Sequence, residues 1–94
     1  MQTLKINNNV SFGIERHEKK VRLVVFDKKE ELACRKETFR NLQRFVELNE
    51  GHVFKGRLQL FKKLDAIHIQ VKGEKIGSVS AMNLKKCLSL SDKI

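Results

Sequence analysis

The chain has no proline, no tryptophan and no tyrosine, and only two cysteines. Without proline, its turns fall to asparagine, glycine and paired polar residues. Without tryptophan or tyrosine, six phenylalanines and three histidines supply every ring, so few side chains are available for stacking. Cys34 and Cys87 are isolated thiols with no C-x-x-C spacing. In a chain without a recognisable leader segment, they predict a reducing, intracellular setting rather than secretion, with both thiols as small buried hydrophobes. Apolar runs as short as Val24-Val25-Phe26 fall far below the ~20 residues a membrane helix needs, so no membrane partner is expected. Acidic residues are scarce, with 11 Asp and Glu against 20 Lys and Arg and a net charge of +9. That excess favours a polyanionic partner.

What is present suffices for one domain, 1–94, since 40% of the 94 residues are hydrophobic. Val10, Phe12 and Ile14 alternate with Ser11, Gly13 and Glu15. After the polar run Arg16 to Lys20, Val21, Leu23 and Val25 alternate with Arg22, Val24 and Phe26. Period-two spacing with a short polar connection predicts a hairpin. Phe26 is expected in the core, because Val24 beside it makes that strand apolar on both faces. Asp27 to Glu30 form the next turn, and Leu32 with Cys34 predicts another strand. From Glu37 the period changes. Phe39, Leu42, Phe45, Val46 and Leu48 form one stripe of a helix, with Thr38 or Glu37 at its start and Gly51 available as a left-handed C-cap.

The second half follows the same plan. Leu58 and Leu60 alternate with Gln59 and Phe61, Lys62 to Asp65 turn, and Ile67, Ile69 and Val71 alternate with His68, Gln70 and Lys72. Lys72 to Lys75 is a tight turn, Ile76 to Ala81 a strand, and Asn83 the expected N-cap of a last helix carrying Leu84, Cys87 and Leu88. An offset of 46 residues superposes Phe12 on Leu58, Ile14 on Leu60, Val21 on Ile67, Leu23 on Ile69, Val25 on Val71, and Asp27 on Gly73. Leu4 with Ile6, and His52 to Phe54, add one strand to each half. The expected fold is therefore α+β: two β-β-β-β-α units, 1–50 and 51–94, forming antiparallel sheets with helices packed on one face.

Two such units in a small basic chain resemble the Whirly-type fold group, which includes the Pur proteins and the positive-cofactor-four coactivators. The run from Leu32 to Leu42, an alternating strand passing through a polar link into a helix that opens Glu37-Thr38-Phe39, is similar to the coactivator family's last strand and helix. The proline common at that link is absent. The resemblance implies binding of single-stranded DNA or RNA on a sheet surface, as a homodimer or higher homo-oligomer.

The residues point the same way independently. An outward sheet face offers flat ground for bases while flanking cations neutralise phosphates. The outward and loop-tip set comprises Lys19, Lys20, Arg22, Lys28, Lys29, Arg57, Phe61, Lys62, Lys63, His68, Gln70, Lys72 and Lys75. Here Lys19-Lys20, Lys28-Lys29 and Lys62-Lys63 are read as hairpin tips. The three histidines have no second ligand at metal spacing, the glycines form no phosphate loop, and no serine sits in a nucleophile elbow. A non-enzymatic binding module without cofactor or metal is therefore expected. The alternative is a small interaction or regulatory module docking a partner protein through a basic and apolar face, and Val24, Phe26 and Phe61 are also read as a contact between subunits that competes with base stacking. Insertion of the 37–48 helix with Arg40 and Arg44 into a duplex or structured RNA ranks below both.

Overall fold

Four strands, β1 (Gln2–Lys5), β2 (Val10–His17), β3 (Lys20–Asp27) and β4 (Glu30–Thr38), pair in chain order and antiparallel, and α1 (Phe39–Glu47) follows. A second set, β5 (Glu50–Val53), β6 (Leu58–Lys63), β7 (Ala66–Val71) and β8 (Glu74–Ser80), pairs the same way and leads into α2 (Ala81–Asp92). This computed structural model describes residues 1–92. The halves form two separate four-stranded sheets of an α+β fold, each followed by a helix.

One apolar cluster joins everything. Phe12, Ile14, Leu23 and Val25 from the first sheet meet Leu60, Ile67 and Ile69 from the second, with Leu42 and Phe45 of α1 and Leu84 and Leu88 of α2 among them. Burying one such side chain stabilises by roughly 1.5–3 kcal/mol, whereas an exposed ion pair contributes about 0–1 kcal/mol. The inner faces therefore dominate the stability. Lys85 bonds Glu47 across the two helices and holds that carboxyl below its ordinary range, a minor addition to this packing.

Each half contains the same irregularity. Val25 pairs with Ala33 but Phe26 pairs with Glu31, leaving Leu32 as the extra residue of a β-bulge. Likewise Ile69 pairs with Gly77 and Gln70 with Lys75, leaving Ile76 extra. A bulge changes the alternation of the strand that carries it. Leu32 packs against the core, Ala33 is buried beside it, and Cys34 turns outward opposite Val24 and is exposed. The expectation of two buried thiols is thus corrected for Cys34, while Cys87 is buried on α2.

Other local expectations also change. The offset of 46 holds for the inward positions and for the first turn, where Glu18 and Leu64 both have positive φ. It becomes 44 at the second turn, where Lys28 matches Lys72, and 42 where the helices start at Phe39 and Ala81. Asp27 therefore ends β3 and does not match Gly73, which occupies the turn with φ +81°. Thr38 caps α1, its hydroxyl accepting from the Asn41 amide at 3.2 Å. For α2 the cap is Ser80, whose Oγ accepts from the Asn83 amide at 3.3 Å, so Asn83 is not the cap. Nor is Gly51 a C-cap. It lies in β5, where an added Cβ would stand 2.8 Å from Leu48 Cδ1, and Leu48 itself is exposed. Phe26 is half-buried on the outer face of the first sheet, not in the shared core, because it lies in phase with Val24.

The sheets are held against each other at two places. Ile6 presses on Gly77 so closely that an added Cβ would stand 2.6 Å from Ile6 Cγ2, and Asn7 Nδ2 donates to the Ile76 carbonyl at 3.4 Å. Elsewhere Arg35 lies over the Phe54 ring at 5.3 Å and donates to the Lys55 carbonyl. The thiols provide a direct check of the bulge. Burial pushes the Cys87 thiol above its ordinary range, so an alkylating reagent is expected to modify Cys34 rapidly and Cys87 only on unfolding. Mass spectrometry over a time course reads the order, and equal rates at both sulfurs contradict this placement.

Candidate nucleic-acid interface

Because both inner faces are buried in one core, each sheet has a single outer face free for a partner. The two differ in chemistry. On the first sheet, Arg22 bonds Glu15 Oε1 at 3.1 Å and also Glu31. Burial works against the Arg22 charge, yet its bonds to Glu15 and Glu31 hold its pKa above the ordinary arginine value. Beside this triad, Val24 and Phe26 crowd the hydrogens of Gly13, where an added Cβ would stand 2.9 Å from Val24 Cγ1. Arg22 is thus neutralised by carboxylates rather than open to phosphate.

The outer face of the second sheet carries a row of rings in register. His52 of β5 stands opposite Phe61 of β6, Phe61 opposite His68 of β7, and His68 opposite Ser78 of β8. The His52 and Phe61 rings are stacked, with centroids 4.2 Å apart and planes 8° from parallel. Flanking rows hold Lys63 on one side and Gln59, Gln70 and Lys75 on the other. The Lys72 amide donates to the Arg57 carbonyl at 2.7 Å, which brings both cations to the end of the sheet beyond Gln59 and Gln70. Among the described residues, Arg57, Lys63, Lys72 and Lys75 are exposed and make no ion pair.

Two polar groups in this row are notable. Gln59 Nε2 donates to the Gly56 carbonyl at 3.1 Å, which leaves Gln59 Oε1 as acceptor for His52 Nε2 at 3.0 Å. That pattern assigns the Nε2–H tautomer to His52 and orients its ring. Gly56 makes the turn with φ +106°, a conformation that favours glycine. His68 Nδ1, by contrast, is buried and has no hydrogen-bond partner among the described residues.

Seven of the residues expected from the sequence come together here: Arg57, Phe61, Lys63, His68, Gln70, Lys72 and Lys75. Lys19 and Lys20 lie elsewhere, beside Lys36 in a shallow hollow at the end of the first sheet. Lys28 and Lys29 are exposed in the β3–β4 turn. Lys62 departs most from expectation. It is no hairpin tip but a residue of the inner face of β6, only 7% exposed, and its ammonium caps the Leu48 carbonyl at the end of α1. His52 and Gln59 join the site without having been expected there. Gln59 shares the outward phase of Phe61 on β6, whereas the place of His52 opposite Phe61 follows only from the pairing of β5 with β6.

Among the described residues, no group of three or more His, Cys, Asp or Glu gathers closely enough to hold a metal ion, and no helix is long and apolar enough to cross a membrane. No family model, curated protein or solved structure matches the chain.

The neighbouring lysines separate structural from surface roles. Lys62→Ala leaves a helix-end carbonyl unpartnered and is expected to lower the unfolding free energy by about 1–3 kcal/mol. Lys63→Ala is expected to change it by less than about 0.5 kcal/mol. Urea denaturation measures both, and equal effects contradict the inward placement of Lys62.

Proposed function

We propose that the protein is a non-enzymatic module that binds single-stranded DNA or RNA on the outer face of its second sheet. The observation that carries this reading is the registered row His52–Phe61–His68, bordered by cations that form no ion pair among the described residues. Rings offer sequence-tolerant stacking, and cations on both margins follow a phosphate backbone. The repeated four-strand-and-helix order, which underlies the resemblance to the Whirly-type group, supports the same reading. So does the net charge of +9. Lys19, Lys20, Lys28 and Lys29 add long-range attraction without touching the bases. An exposed free Cys34 suits a reducing intracellular compartment, and a role in transcription, replication or RNA regulation fits limited sequence preference.

A second reading, packing of a second copy of the chain, has one observation in its favour. Leu64, Met82 and Leu90 are 68%, 66% and 51% exposed and line two hollows that share Met82 and Lys85. In that reading the strip is where a second copy of the chain packs, and Met82→Lys would lower the mass measured by ultracentrifugation.

Anisotropy titration with a single strand of about 12 nucleotides tests the main proposal. Affinity is expected to fall steeply with salt, and Arg57→Ala, Lys63→Ala, Lys72→Ala and Lys75→Ala are each expected to reduce the log–log salt slope by up to about 0.7. Lys28→Ala should alter the slope less. Absence of binding at ~50 mM salt, or equal losses at Lys28 and Lys63, overturns the assignment.

A further inference from the structure

The stacked pair has an asymmetry that bears on what the site selects. The rings of His52 and Phe61 lie face to face, so the faces between them are occupied. Phe61 is half-buried, whereas His52 is exposed. β5 is an edge strand of its sheet, with β6 on one side and, among the described residues, no strand on the other. The outer face of the His52 ring therefore looks past the sheet edge with nothing paired beyond it. The ring is also held in place, through its bond to Gln59 and the bond of Gln59 to the Gly56 carbonyl. An ordinary exposed histidine would need to be ordered before it could stack. This one is already oriented by its stack on Phe61 and its bond to Gln59, which lowers the entropic cost of adding a third ring.

Accepting the reading above, we propose that His52 is the base-selecting residue of the site: an unpaired purine stacks on its open face and extends the column Phe61–His52 beyond the sheet edge. The base thus stands upright at the edge of β5 instead of lying flat on the sheet centre. A base inside a duplex has both faces covered by its neighbours, so the column accepts a base only from a strand that is single at that point. A purine covers more of the imidazole than a pyrimidine does, and stacking strength is a source of modest sequence preference in single-strand binders. Lys55 and Arg57, exposed in the connection from β5 to β6, lie on the chain directly after this edge and suit the phosphates flanking the stacked base. Gln59 is a positioning residue: it fixes the ring and need not touch the base.

The probe is a thymidine strand of about 12 nucleotides carrying one central 2-aminopurine, whose fluorescence falls when it stacks. The chain has no tryptophan or tyrosine, so this emission is read without protein background. Binding is expected to quench the probe, and replacing the central purine with thymine is expected to weaken binding. His52→Ala should lower affinity for the purine strand roughly 5- to 150-fold, with loss of both quenching and purine preference. His52→Phe should retain both. Gln59→Ala should reduce the preference, and His52→Phe placed on it should restore it, which a merely structural role for Gln59 would not produce. His52 is exposed on an edge strand, and circular dichroism melting checks that each variant is folded. If the wild type binds with Lys63-dependent affinity but His52→Ala matches it and the probe stays bright, the purine site is wrong and the binding face stands. If the wild type binds no single strand, the binding face itself is wrong and this site falls with it.

Discussion

The molecule depends on one constraint: both sheets bury their inner faces in a single core shared with both helices. A four-stranded sheet with only one covered face must leave the other to solvent or to a partner, and two such sheets leave two outer faces. Their side chains are set by strand alternation and by the bulges that reset it at Leu32 and Ile76. The close approach of Ile6 to Gly77, and of Arg35 to Phe54, fixes how the two sheets meet around that core.

Charge then distinguishes the two faces. Glu15 and Glu31 neutralise Arg22 on the first, while Val24 and Phe26 cover Gly13. On the second, Glu50 stands in register with Lys63 but forms no ion pair among the described residues. A face of rings and amides with unneutralised cations at its margins suits a flexible polyanion better than a small substrate.

Much of this was legible in the residues. The alternations Val10–Ile14, Val21–Val25 and Ile67–Val71 identified the inward faces, and the stripe Phe39–Val46 identified α1. The bulges were not legible, because an extra residue in a strand has no local signature here; Cys34 therefore changed faces. Nor was the fate of Lys62 visible. Its spacing with Leu60 and Leu58 is inward, but an adjacent lysine and a following Leu-Asp read as a turn, and only the nearby end of α1 explains a buried ammonium. The capping roles of Ser80 and Thr38 differ by the same logic: both are hydroxyls before a helix, but Asn83 competed with Ser80 as a plausible acceptor. At the site, Phe61, Lys63, His68 and Gln70 followed from alternation alone. His52 required the pairing register of a four-residue edge strand, which sequence periodicity over so short a segment does not supply.

The central claim is that single strands bind the second sheet's outer face and not the first's. Backbone amide chemical-shift mapping during titration with a single strand of about 12 nucleotides tests it most directly. The largest shifts are expected at His52, Phe61, Lys63 and His68, with the amides of Val24, Phe26 and Cys34 nearly unmoved. Largest shifts at those first-sheet positions, or none anywhere at low salt, would contradict it.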